Sequence, residues 1–388
     1  MTYISGARST NTDTNRRKYD VSDKLWMVDP DFAVLAFFAR KLGKTATTDP
    51  EYRHYEKTQP SRYSAVNGTI NNSATTLAVT AGHGLRFRAG DVIMDVATGE
   101  HALVTAVSTD NLTIVRGWGT TAAATMTNAD VIVILGSANA EGATIRTALT
   151  NVTSRVANYT QIFREPIKET ETSMSTEYYA QDGADPMASL RREHLQIHNK
   201  DIERSFLFGE PKEDLSGATP IRSTGGAKNY IQTNIKNVAT LTEPVFDSFM
   251  SDLFLTGGDK KMGLFSPIIV SAINSWAKNT TRLNMYPTDK TFGIAISSYL
   301  SAHGTIDFVQ ERLLAENTTW AGYGFVFDMN LVKYRYLAGN GRNRDTQLLK
   351  VPKTNGEDSV IEEYLSEIGF ELMLENRHGY FKGITAYT

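Results

Sequence analysis

The sequence predicts an α+β chain in which one long helix serves as the spine for the elements around it. Three observations predict it: a capped amphipathic run from Asp185 to Gly209, five short β-branched runs between residues 62 and 138, and mixed helix and strand signals from 241 to 340. In the first, Asp185 suits the N-cap and Pro186 the first helical position, where its missing N–H costs nothing. Gly209 suits a left-handed residue after the last turn, and Pro211 forbids continuation. At 1.5 Å per residue such a helix is roughly 33 Å long, so neighbours pack along it and not around it.

A chain of 388 residues exceeds the size at which single cores stop growing, which predicts two or three domains or one domain with large insertions. A net charge of −3 removes the simplest argument for a nucleic-acid binder. Zero cysteines exclude disulfides and thiolate zinc sites. The first twenty residues carry no apolar signal core, and no window approaches 18 consecutive apolar residues. The chain therefore reads as soluble and non-secreted, with no membrane partner.

Residues 1 to 24 hold few large apolar side chains and cannot bury enough surface to fold by themselves. Arg16, Arg17 and Lys18 form a short basic cluster there, read as a solvated tail or as a contact with a neighbouring chain or nucleic acid. Asp29-Pro30 then repeats the cap logic of the spine, and Phe32, Leu35, Phe38, Ala39 and Leu42 recur at helical spacing before Gly43. A short docking helix follows the tail. The run around Tyr52, His54 and Glu56 alternates as a strand leading outward.

From 62 to 138 the composition shifts to Thr, Val, Ala, Ile and Gly. The runs TTLAVT, DVIMDV, HALVTAV, NLTIVRG and DVIVILG are separated by Gly and Asn turns, which predicts a small barrel or sandwich of its own. No lysine occurs between Thr58 and Ile167. NYTQIFREPI carries the chain back as a strand ending at Pro166. After the spine comes a Gly-, Pro- and Ser-rich loop over 210–230, too long for a tight turn.

Thr242 and Pro244 start a helix whose apolar stripe is Phe246, Phe249, Met250, Leu253 and Phe254. SPIIV reads as a short buried strand with a helix after it. Two hairpins follow, turning at His303-Gly304 and at Asp328-Met329-Asn330, and EEYLSEIGFELMLEN reads as a long strand returning to the spine.

No stretch carries a recognisable reaction. His194 and His198 stand four apart on the spine with Glu193 and Glu203 nearby, but Leu195 occupies the place where a zinc protease needs glutamate. They read as polar contacts of a packed helix. The Gly pairs around Trp118, Tyr323 and Asn340 lack GxGxxG spacing, and there is neither a phosphate-loop signature nor a GxSxG elbow. Tyr323, Phe325, Phe327, Tyr334 and Tyr336 read as core and interface, not as a base-stacking platform. No catalytic, metal or cofactor-binding residue is assigned.

The order of parts, together with the runs at 151–172, 193–210, 224–231, 291–309 and 362–384, resembles the major capsid proteins of tailed (Caudovirales-type) bacteriophages with the Hong Kong 97 fold, in the family with a β insertion in the extended loop. The resemblance implies an N-terminal arm at 1–57 and an extended loop at 58–160 whose β module spans about 62–138. It implies a peripheral domain at 161–240 and 341–388, with a spine helix at 185–208, and an axial domain at 241–340. It implies self-assembly as hexamers and pentamers into an icosahedral head, made in the host cytoplasm, that encloses double-stranded DNA without sequence preference. Portal and scaffold proteins are implied partners, with a cement protein as a further one, and Arg16, Arg17 and Lys18 as a DNA or scaffold contact. The phage that names the fold joins a loop lysine to a neighbour's asparagine, and the lysine-free loop departs from that pattern. The competing readings are an encapsulin-like cargo compartment, a tail or adhesion protein with a carbohydrate-binding β module, and a soluble enzyme.

Overall fold

The computed structural model describes residues 33–176, 187–279, 290–291, 294–295, 297–352 and 357–388. The caps at Asp29-Pro30 and Asp185-Pro186 and the basic cluster Arg16, Arg17 and Lys18 lie outside them. Two compact units emerge, one spanning Tyr55–Arg155 and the other formed by the chain on either side of it.

In the first unit six strands run in the spatial order Tyr63–Ala65, Val131–Ser137, Asp91–Asp95, His101–Ser108, Asn111–Val115 and Thr76–Ala78. The ends of that order meet where Val66 bridges Val79, so the sheet closes into a barrel. Asn67 N–H to Ala78 O (2.9 Å) and Thr80 N–H to Ala65 O (3.0 Å) seal the seam. Closure removes the open edges that would otherwise pair with other chains. Alternation sends Ile93, Ala102, Val104, Leu112, Ile114, Ile132 and Ile134 inward, where Phe87 and Met126 plug the ends of the core. Register shifts at Val92/Ile93 and Val104/Ala106 supply the local bends that closure needs.

The barrel also buries an ion pair that its sparse charge concealed. Glu100 receives two hydrogen bonds from Arg116 (2.7 and 2.6 Å) and accepts the N–H groups of Gly117 (3.1 Å) and Ala124 (2.9 Å). Arg116 also donates to Asn71 O at 2.7 Å. Every lone pair of the carboxylate has a partner, which is the condition under which a buried pair is tolerated.

In the second unit the spine helix runs unbroken from Met187 to Phe208. Its buried positions Met187, His198, Ile202 and Phe206, with Glu203 and Leu207, form one stripe at helical spacing. Across this stripe lies a sheet ordered Lys44–Thr47, Val332–Gly339, Ser359–Leu372, Gln161–Thr170. The closing strand Ser359–Leu372 is central and buried on both faces from Glu362 onward. The docking helix Val34–Leu42 packs Val34, Leu35, Phe38 and Ala39 into the same core. A second sheet, Ile235–Asn237, Gly379–Lys382, Gly324–Phe327, Lys260–Phe265, Thr305–Gln310, Ser297–Leu300, is flanked by the helices Glu243–Phe254 and Pro267–Asn279. Phe246 and Phe249 sit on Phe381, with ring centroids 5.7 and 4.1 Å away.

Three expectations need correcting. SPIIV is not a strand: it opens the helix Pro267–Asn279, because Ile269, Ala272, Ile273 and Trp276 form a helical stripe against the second sheet. The β-branched run hid that period. The strand through Ile162 does not stop at Pro166 but continues to Thr170, since Gln161–Thr170 is an edge strand and its proline owes no hydrogen bond on the open side. Gly209 is not left-handed. It is glycine because a Cβ there would lie 2.4 Å from Thr224 O and 2.5 Å from Ser205 O. The returning backbone at Gly226 then donates to Gly209 O (2.9 Å), so the helix is finished by a close chain crossing and not by a turn.

Thr242 caps its helix as expected, with the hydroxyl accepting from Val245 N–H. The first hairpin forms, Ser297–Leu300 with Thr305–Gln310. A fourth expectation, the second hairpin, does not hold: Gly324–Phe327 and Val332–Gly339 part at Asp328 into different sheets, the former pairing with Lys260–Phe265 and Gly379–Lys382 and the latter with Lys44–Thr47 and Ser359–Leu372, because each strand finds its partners in distant stretches of chain. The loop after the spine contains a small hairpin, Lys212–Asp214 with Ile221–Ser223, and one helical turn at Ala227–Tyr230.

Candidate functional site

Chemistry-bearing side chains concentrate along the closing strand. Glu362, Glu363, Glu367 and Glu371 are all buried there, and each meets an arginine from a different element. Successive strand residues alternate faces, so Glu363, Glu367 and Glu371, four apart, share one face while Glu362 lies on the other. Arg191 of the spine grips Glu362 through two bonds of 2.6 and 2.9 Å. Arg164 of the neighbouring strand binds both oxygens of Glu363, and Arg344 pairs with Glu367. Arg335 donates to Glu371 at 2.7 Å, with His54 Nδ1 3.4 Å away. Fork-shaped arginine contacts of this kind fix orientation as well as charge.

The spine-facing side of the strand adds Ser366, whose hydroxyl meets His198 Nε2 at 2.7 Å, and Phe370, whose ring lies tilted with its centroid 5.2 Å from that of Phe206. Burial, then the Arg40 guanidinium, lower the pKa of His198, so the imidazole is held neutral. His194 points elsewhere, with Nδ1 2.7 Å from Glu165. The two histidines therefore diverge, and among the described residues no three His, Asp or Glu side chains are placed to hold a metal ion. Glu203 turns away from both, to the first turn of the docking helix, where it accepts from Leu35 and Ala36. Phe325, Phe327 and Tyr334 are buried and Tyr323 and Tyr336 pack at the edge of the same core, which leaves no stacking platform in this group.

Sequence reasoning missed the arginine clamps and the role of Glu203. The four-residue spacing of Glu363, Glu367 and Glu371 within an apolar strand was a usable signal for a shared face. Their partners were not, since each comes from a distant stretch of chain. In the groove lined by Thr160, Ile162, Pro220, Ile221, Arg222 and Glu367, the Thr160 hydroxyl donates to Glu367 at 3.4 Å, and that carboxylate is already paired with Arg344.

The buried polar groups along the closing strand tie elements of the fold to one another. The chain belongs to the SU10 major capsid protein family, whose sequence model matches residues 8–385. The major capsid protein of Pseudomonas phage PaMx41 is 23% identical over 314 residues, covering 78% of this chain and 74% of that one. Among solved structures, Microbacterium phage Oxtober96 aligns over 97% of this chain and 99% of its own at 9% identity and a TM-score of 0.49. Gordonia phage Cozz aligns over 99% and 97% at 11% identity and a TM-score of 0.48. The family fixes the class: a major capsid protein of a tailed phage, structural and not enzymatic, located in the virion shell, here with an α+β chain.

Burial pushes the Glu371 carboxyl up, but the bonds from His54 and Arg335 outweigh it and hold the group down at about 2. A carboxyl lowered on folding contributes stability that is present above its ordinary range near 4.5 and is lost as pH falls toward 2. Wild type is expected to lose denaturant resistance between pH 5 and 3 more steeply than Glu371→Gln. Equal slopes in urea titrations across that range would remove Glu371 as the cause.

Proposed function

We propose that the chain assembles as hexamers and pentamers into a closed head around packaged double-stranded DNA, after synthesis in the host cytoplasm. The family match over residues 8–385 carries this reading. Within it, residues 1–57 serve as an arm reaching a neighbour, and 58–160 as an extended loop whose β module, about 62–138, lies over another subunit. Residues 161–240 and 341–388 form the peripheral domain, and 241–340 gather around the capsomer axis. Portal and scaffold proteins direct assembly, and a cement protein decorates the outside. A net charge of −3 suits an inner wall that tolerates DNA without binding it tightly.

Negative-stain microscopy of the purified chain tests the assembly directly. Closed shells, capsomer rings or tubes are expected; a population of monomers and small oligomers under all assembly conditions overturns it. Nuclease-protected DNA inside particles from infected cells separates a genome container from a compartment holding protein cargo.

Two sequence features sharpen the reading. With no lysine between Thr58 and Ile167, mature heads are expected to run as single bands on denaturing gels. Ladders of linked subunits would contradict that. Arg16, Arg17 and Lys18 are assigned to DNA or scaffold, so deleting residues 2–18 should impair assembly or packaging. Normal yields of filled heads from the deletion would cancel the assignment.

A further inference from the structure

The docking helix is held by an unusual cap. Ala33, its N-cap residue, offers no side-chain hydrogen bond, and the first turn contains no acidic residue. The spine supplies the missing acceptor: Glu203 Oε1 takes the N–H of Leu35 at 2.8 Å and Oε2 takes that of Ala36 at 2.6 Å. A second carboxyl, Glu311, lies against the same turn. Both side chains are fully buried. Glu311 Oε1 accepts from Leu313 N–H at 3.1 Å, while its Oε2 has no partner at hydrogen-bonding distance.

The charges around this pair do not neutralise it. From the docking helix come backbone amides of Val34, Leu35 and Ala36. The spine brings Glu203, and its Lys200 and Arg204 are turned to Glu316, at 3.6 and 2.8 Å. The segment after strand Thr305–Gln310 brings Glu311, the exposed Arg312 and Glu316. The charges that act on Glu311 are those of Glu203 and Glu316, both of its own sign. Two buried carboxyls whose charges act on each other cannot both ionise at low cost, whereas one negative charge at a helix N-terminus is favourable. An orphaned oxygen beside a satisfied carboxylate is the arrangement a shared proton fills.

We propose that Glu203 and Glu311 hold one proton between them as a latch, and that losing it undocks the helix Val34–Leu42 from the spine. The direction of titration agrees. Burial pushes Glu203 up to about 7 against the pull of the Ala36 and Leu35 amides. Burial and then the charge of Glu203 raise Glu311 well above the usual carboxylate range, against the amides of Leu313 and Val34. Acids raised on folding give stability that is complete below the ordinary carboxylate range near 4.5 and is lost as pH rises from there through the folded values, for Glu203 by about 7. The latch goes beyond the shell reading and is testable on the full chain whatever that chain assembles into.

Hydrogen exchange of the full-length protein from about pH 5 to about pH 8, corrected for intrinsic rates, is the test. Protection of the amides from Leu35 to Leu42 is expected to fall as pH rises from about 5 toward the folded values, by up to about tenfold per pH unit, the limit for release of one proton, and to level off above them. Amides of the closing strand and of the barrel should hold their protection over the same range. Glu311→Gln removes the second charge while leaving the Glu203 cap, and should flatten the profile. A wild-type profile that does not change with pH overturns the latch. So does parallel loss across the closing strand, which marks global opening, or an unchanged slope in Glu311→Gln. Should that variant fail to fold, the wild-type comparison of docking helix with closing strand still decides.

Discussion

The contact on which the larger unit depends is the spine helix lying along the closing strand. Phe206 meets Phe370 and Tyr334 at the centre of this contact, and both the docking helix and the sheet draw on the same core. Apolar burial there supplies the driving force, but it does not fix where along about 33 Å of helix the strand must sit. Polar contacts fix it. Arg191 with Glu362 marks one end and His198 with Ser366 the middle, so sliding by one helical turn would leave a buried carboxylate without its arginine.

Much of this architecture was legible because it rests on local signals. The barrel strands alternate between turn residues, Thr242 and Pro244 announce a helix start, and the spine keeps an apolar stripe from Met187 to Leu207. The failures have a common origin in tertiary context. SPIIV has strand composition, yet a sheet surface claims every third or fourth residue of the helix it begins. Pro166 would end a central strand and is harmless at an edge. Gly209 shows that the residue type was read correctly and the reason was not: a crossing backbone excludes a Cβ there. The arginine clamps and the Glu203 cap join residues from well-separated stretches, and no local pattern encodes such pairs.

Shell proteins must present the same surfaces in every copy, which places a premium on unique geometry. A core made of interchangeable apolar side chains tolerates small shifts, whereas a forked arginine on a buried carboxylate does not. The barrel follows the same logic on its own scale, with Glu100 and Arg116 pinning the loops at 71–74 and 117–124 to the strand ends. Closure of its sheet also matters for a protein present in many copies, since an open edge would invite pairing in unwanted registers.

The two kinds of buried acid respond to pH with opposite sign, and that difference separates two functions within one unit. Glu371 is stabilised as a carboxylate by Arg335 and His54, so acid weakens the sheet clamp it belongs to. Glu203 and Glu311 favour retained protons, because burial raises both and the charge of Glu203 raises Glu311 further, so rising pH weakens the hold on the docking helix. The Glu371 clamp thus stays charged throughout the neutral range, while the hold on the docking helix weakens as pH rises toward about 7. An element that must stay rigid is tied by opposite charges. The attachment of the docking helix Val34–Leu42 is instead set by like charges kept apart by a proton, which makes it open to adjustment.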